Sequence, residues 1–204
     1  AQDWGRHAGY PHYAVGWAWA GNAPFKLWKR YAWLGGTRVP FVVRWPAGIG
    51  ARGEVRHQFG HAVDLLPTLL DACGVEIPVD LDGASLRSTF DDADAAAPRS
   101  TQYFEMLGSR SIVHDGWKAT TDHVSKGVAD EEELLVGSRD LEADRWSLYR
   151  LDDDPAEVED LAAEHPGVVA DVVARWTAEA ERNDVFPLAD DLVQRIADMA
   201  PVPF

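Results

Sequence analysis

The run Val39-Pro-Phe-Val-Val-Arg-Trp45 constrains the fold more than any other stretch of this chain. It is short, apolar and rich in β-formers, with Gly35-Gly36 before it and Pro46-Ala-Gly48 after it, the pattern of a strand buried on both faces. Such a strand lies inside a sheet with helices on each side, so the expected class is α/β. Downstream, Leu65, Leu66, Leu69 and Leu70 recur at helical spacing, Asp64 stands at the N-cap position, Pro67 sits in the first turn and Gly74 can end the helix.

The acidic, alanine-rich section from Leu86 to Pro98 reads as a surface connection between two subdomains, which sets expected boundaries at 1–98 and 99–204. Beyond it, Ser100 to Met106, Arg110 to Val113, Trp117 to Thr121 and Trp146 to Leu151 are short β-rich runs. Turn signals at Leu107-Gly108-Ser109 and Asp115-Gly116 separate the first three, which predicts a small four-stranded antiparallel sheet. The acidic stretch Asp130 to Asp144 reads as an exposed insertion. Asp154-Pro-Ala-Glu157 has the form of a capping-box helix start. From Pro166 onward, Val168, Val169, Val172, Val173, Trp176 and Ala180 share one face, which predicts a helix covering the small sheet. The first segment, 1–26, has no clear period and reads as loop packed against something large.

At 204 residues with 46% hydrophobic content, the chain can build a packed core. A formal net charge of -15, with no Lys/Arg cluster, argues against nucleic acid as a partner. No stretch approaches the roughly 18 consecutive apolar residues of a membrane helix, so no membrane partner is expected, and the compartment stays open. Ala1 follows neither a start methionine nor a signal-like segment, and the chain is expected to begin within a longer protein. Cys73 is the single cysteine, which excludes an internal disulfide, and its place at the end of an apolar helix reads as a small core residue.

Several other residues invite chemistry. His57 and His61 are four apart, a chelating interval on a helix, but they lack a third ligand nearby and no metal site is expected of them. His114 and His123 bracket the Gly116-Trp117-Lys118 turn and either line a pocket or cap strands. Asp152-Asp153-Asp154 and Asp130-Glu-Glu-Glu133 lack the alternating ligands and turn glycine of a calcium loop. Gly35 and Gly36 read as scaffold, and Arg38 as a structural ion pair.

The segment Lys29-Arg-Tyr-Ala-Trp-Leu-Gly-Gly-Thr-Arg-Val-Pro40 resembles the sulfatase pattern of a lysine, five residues, then Gly-Gly-x-Arg-x-Pro, with Leu34 where that family commonly has an acidic residue. Asp64-Leu-Leu-Pro-Thr-Leu-Leu70, Asp82-Gly-Ala-Ser85, Asp115-Gly-Trp-Lys118, Trp146-Ser-Leu-Tyr-Arg-Leu151 and Asp154-Pro-Ala-Glu157 follow in the order found in sulfatases. His12-Tyr-Ala-Val-Gly-Trp17 with Asn22-Ala-Pro-Phe25 resembles the bacterial arylsulfatase branch. The resemblance implies the C-terminal portion of an alkaline-phosphatase-like α/β fold: the end of the large mixed sheet, then a small four-stranded antiparallel sheet covered by a C-terminal helix. It implies hydrolysis of a small organic sulfate ester, with Lys29 as the catalytic, substrate-binding residue that contacts a sulfate oxygen. The bland alternative is a solvated surface lysine.

Formylglycine and a calcium-type cation are implied for the full-length protein. Cys73 is followed by Gly-Val-Glu-Ile, which does not fit the Cys-x-Pro/Ala-x-Arg pattern of the nucleophile. The missing N-terminal part is therefore the expected partner, and the chain alone is expected to be inactive. Two alternatives stay open: a phosphoesterase or phosphonate hydrolase of the same superfamily, and a non-catalytic module with a Trp4, Trp17, Trp19 and Trp28 patch.

Overall fold

The computed structural model describes residues 13–121, 123 and 141–188. They fall into two compact units, one within Ala1–Val39 and Tyr103–Phe204, the other within Pro40–Gln102.

The first unit is organised by a sheet of four strands, β1 Thr101–Met106, β2 Ser109–His114, β3 Trp117–Thr120 and β4 Ser147–Arg150, in the order β1-β2-β3-β4. These are the strands the turn spacing predicts. Two-residue turns join the first three: Leu107-Gly108 and Asp115-Gly116 have positive φ at both positions, the backbone twist that matches a tight hairpin. β3 pairs antiparallel with β2 (Ile112 opposite Ala119) and with β4 (Ala119 opposite Leu148, Lys118 opposite Tyr149).

Side chains alternate across a strand, so the sheet offers two faces with different tasks. Ile112, Ala119 and Leu148 are fully buried on one face against α4, Pro166–Arg182, which contributes Val172, Trp176 and Ala180. This is the amphipathic helix expected from the sequence, and its Trp176 indole donates to the Phe104 carbonyl at 3.1 Å. Tyr149, on the opposite face, packs with Tyr31 and Trp33, with Leu27 and Trp28 at the margin.

Two sequence expectations fail in this unit. The segment read as loop contains a helix, α1 Val15–Asn22, none of whose residues is buried. Its composition is apolar all round, so no periodic signal marks it. Asp154-Pro-Ala-Glu157 does not start a helix; it is a turn in which the Asp154 carboxylate accepts from the Val158 and Glu159 amides, and Glu157 takes φ 56. The capping-box spacing is met, but the Asp154 side chain bonds across a turn and that of Glu157 bonds to residues distant in sequence. Of the acidic stretch Asp130 to Asp144, 130–140 lie outside the described residues, and Leu141–Ala143 form a 3-10 turn.

In the second unit, α3 is Leu65–Ala72, as the leucine spacing predicts. Asp64 precedes it but its side chain does not cap that helix. The buried carboxylate instead accepts from the His61 amide at 2.7 Å, the Ala84 amide at 2.9 Å and the Arg99 guanidinium. Leu65, Leu66 and Leu69 are exposed, and so is Cys73, which corrects its reading as a core residue. Val39 to Trp45 forms no strand: Val39 and Val42 are 76% and 88% exposed. A strand exists only where a neighbour takes up its backbone N–H and C=O groups, and the sheet formed among the described residues does not include this run.

Candidate active site

Lys29 lies on a loop wound tightly against the small sheet, between α1 and a short helical turn, α2 Leu34–Thr37. Asn22, at the end of α1, ties the loop's two sides together: its amide nitrogen donates to the Leu27 carbonyl at 2.8 Å and to the Gly35 carbonyl at 2.7 Å. The Gly35 amide adds a bond to the Lys26 carbonyl at 3.0 Å. At this closeness side chains do not fit. A Cβ on Gly35 would strike the Lys26 and Leu27 carbonyl oxygens, and one on Gly36 the Tyr31 and Trp28 carbonyl oxygens. The glycine pair is therefore the steric condition for the loop, in line with its reading as scaffold.

Gly36→Ala is accordingly expected to destabilise the protein by about 1–3 kcal/mol, because only backbone movement relieves the clash. Gly16→Ala in α1, where an added Cβ meets nothing within 4 Å, is the control. Urea midpoints for the two variants check this, and equal midpoints would remove the steric argument.

The loop's tip is the turn Trp28–Tyr31, closed by the Tyr31 amide on the Trp28 carbonyl at 3.2 Å, with Arg30 at φ 97. Lys29 occupies this turn, is exposed, and has no ion pair among the described residues. The residues after it, Tyr31, Ala32, Trp33 and Leu34, are all buried. Trp28 meets Tyr31 edge-on at 5.3 Å, Trp33 meets Tyr149 at 5.5 Å, and the Lys26 ammonium sits 3.6 Å from the Trp33 ring centre. Arg30 Nη1 and Trp33 Nε1 are buried without a hydrogen-bond acceptor among the described residues.

Beneath the loop is an ion pair closed to solvent. Glu157 Oε2 accepts from the Leu34 amide at 2.7 Å, and Oε1 accepts from Lys118 Nζ at 2.5 Å. Both side chains are 0% exposed. Burial drives the Lys118 ammonium down to about 8, although Glu157 holds it up, and nearby Lys26 adds to the fall. Burial likewise pushes the Tyr149 phenol up to about 12. Sequence reasoning missed Glu157, whose place in an apparent helix cap hid it. It also missed Lys118, although a lysine between Trp117 and Ala119 in a short apolar strand was a visible signal.

The other residues singled out in the sequence have separate surroundings. Arg38 lies over the Phe25 ring at 4.8 Å and has no ion pair among the described residues. His114 is 3.3 Å from the Asp115 carboxylate. His123 is buried, with Nδ1 at 2.9 Å from Asp144, which also accepts from Arg110. In the second unit, His61 Nδ1 faces the Val63 amide, and burial lowers its imidazole pKa. Among the described residues no group of three His, Cys, Asp or Glu side chains is gathered as metal ligands. Cys73 lacks the sequence context of a formylglycine precursor. The described side chains do not fit either group. No helix among the described residues is long and apolar enough to cross a membrane.

The family described as N-sulphoglucosamine sulphohydrolase, C-terminal, matches residues 25–183. An uncharacterized sulfatase of Schizosaccharomyces pombe is 26% identical over 94% of this chain and 34% of its own length. The N-acetylglucosamine-6-O-sulfatase of Bacteroides thetaiotaomicron is 28% identical over 65% of this chain and 23% of its length. The N-acetylgalactosamine-6-sulfatase of Sus scrofa is 42% identical over 32% of this chain and 13% of its length. The chain thus spans about a third or less of the curated relatives it matches. Among solved structures, one from work on glycosaminoglycan metabolism by Bacteroides thetaiotaomicron aligns with TM-score 0.58 and 25% identity over 74% of this chain and 30% of that one. Ps i-CgsB shares the fold at TM-score 0.63 and 20% identity, covering 86% of this chain and 36% of its own. With the family match running from the Lys29 loop through α4, the chain belongs to the sulfatase family, as its C-terminal α/β region.

Proposed function

We propose that the protein containing this chain hydrolyses a sulfate ester to an alcohol or phenol and sulfate, and that Lys29 binds a sulfate oxygen. The observation that carries this is the presentation of Lys29. It is an exposed cation without an ion pair among the described residues, at the tip of a turn whose glycine pair, aromatic bed and buried Glu157–Lys118 pair leave it little freedom. A lysine held in this way makes charge-assisted hydrogen bonds to a sulfate and stabilises charge developing on its oxygens as the ester bond breaks. Calcium and formylglycine chemistry belongs, in this reading, to residues outside the chain, with 1–98 completing the catalytic α/β domain and 99–204 forming the C-terminal subdomain.

The exposed Phe41, Val42 and Val43 run and the exposed leucines of α3 support a longer protein, because apolar patches of this kind are normally covered. Relatives named for 6-sulfates of N-acetylhexosamines favour a sugar as leaving group. The arylsulfatase-like motif near Asn22 favours a phenol. The test is to assay the protein as its gene encodes it, and residues 1–204 alone, on N-acetylglucosamine 6-sulfate, 4-nitrophenyl sulfate and 4-nitrophenyl phosphate. Sulfate release by the encoded protein, and none by the chain alone, is expected. Turnover confined to the phosphate points to the phosphoesterase alternative, and binding without turnover to a non-catalytic module.

A further inference from the structure

From the closed geometry beneath the Lys29 loop we infer that Glu157 is a positioning residue for Lys29, acting through the Leu34 backbone amide; this rests on the reading of Lys29 as the sulfate-binding residue. The carboxylate has two oxygens and each has one buried donor, the Leu34 amide at 2.7 Å and the Lys118 ammonium at 2.5 Å. Leu34 is 123 residues from Glu157 in sequence, so the bond is a long-range tether and not a local turn. Leu34 is also the residue at which the chain leaves the Lys29 turn and enters α2.

Asn22 and the Gly35–Lys26 bond join the loop's two sides at its base. Glu157 fastens the descending side, through Leu34, to Lys118 on β3, beside the packing of Tyr31 and Trp33 on Tyr149. A buried ion pair is weak support for stability, since apolar residues of the same size commonly do as well. Here the acid's second partner is the backbone of the loop that carries the cation. Lys118 then has a defined part: it balances the charge of an acceptor that must be buried to reach Leu34.

Three variants of the encoded protein separate the possibilities. Glu157→Gln with Lys118→Met removes both charges but keeps a carbonyl oxygen for the Leu34 amide. Glu157→Met with Lys118→Met removes the charges and the acceptor together. Lys29→Ala removes the cation itself.

The Gln/Met protein is expected to keep its kcat, whereas the Met/Met protein, folded by circular dichroism, loses about 100-fold, as a misplacement of about 1 Å can cost. Amide hydrogen exchange at Leu34, Gly35 and Gly36 is expected to rise about tenfold or more in Met/Met alone, as a local opening would produce. Equal kcat in the two double variants, or exchange unchanged in Met/Met, overturns the tether. Rising exchange together with a silent Lys29→Ala overturns instead the reading of Lys29, and with it the purpose assigned to Glu157.

Discussion

Lys29→Ala is expected to lower kcat/KM for a sulfate ester by about 100- to 1,000-fold, the loss that follows removal of one preorganised donor from a developing oxyanion. Because Lys29 is exposed and has no ion pair among the described residues, the substitution is expected to change stability by no more than about 0.5 kcal/mol. Activity and stability therefore separate, and the deficit cannot be unfolded protein. The split between constants carries further information. A loss mainly in kcat means that Lys29 interacts more strongly in the transition state than with bound substrate, whereas a loss mainly in KM means that it holds both equally. Lys29→Arg keeps the charge but replaces a compact ammonium with a planar fork, so it is expected to recover only part of the rate. Steady-state kinetics on the two variants, beside urea midpoints, are the measurement. An alanine variant within about threefold of the parent would leave Lys29 a solvated surface residue.

Much of this arrangement was legible in the sequence, and the exceptions other than α1, which lacks a periodic signal, share a physical cause. The four short strands and α4 were readable because their signals are local: hairpin turns at Leu107-Gly108 and Asp115-Gly116, and a 3.6-residue period from Val168 to Ala180. The glycine pair beside Lys29 was readable as scaffold, although its reason, the carbonyl oxygens of Lys26, Leu27, Trp28 and Tyr31 crowding both positions, lies in the folded loop and not in the sequence pattern. What failed was whatever depends on a distant partner. Val39 to Trp45 has the composition of a buried strand, but a strand needs backbone neighbours, and the composition of one segment does not supply them. Asp154-Pro-Ala-Glu157 satisfies a local capping rule, yet Glu157 bonds to residues 39 and 123 positions away, so the local pattern pointed to the wrong structure.

Glu157→Leu alone is expected to destabilise the protein by about 3–5 kcal/mol, the usual cost of leaving one member of a buried ion pair without its partner. Two groups are stranded at once: the Lys118 ammonium, 0% exposed, and the Leu34 amide. Adding Lys118→Met removes the first, so the double variant is expected to recover most of the loss but not the part owed to the amide, about 1–3 kcal/mol. The deficit also depends on pH, with a definite sign. In the parent, burial sets the Lys118 pKa at about 8, below its ordinary value of 10.5. Between those values the unfolded chain holds the proton and the folded one does not, so the cost of this group to folding shrinks as pH rises through that window and is constant below it. Without Glu157, which holds the ammonium up, the folded-state pKa falls further and the window opens at lower pH. The gap between parent and variant is thus expected to narrow as pH rises toward about 8, through the range in which the variant's lysine is neutral when folded and the parent's is not. Urea unfolding of both proteins across that range measures the gap. A constant gap would mean that Lys118 is not the stranded charge, and a gap below about 0.5 kcal/mol would mean that the site relaxes to let water in.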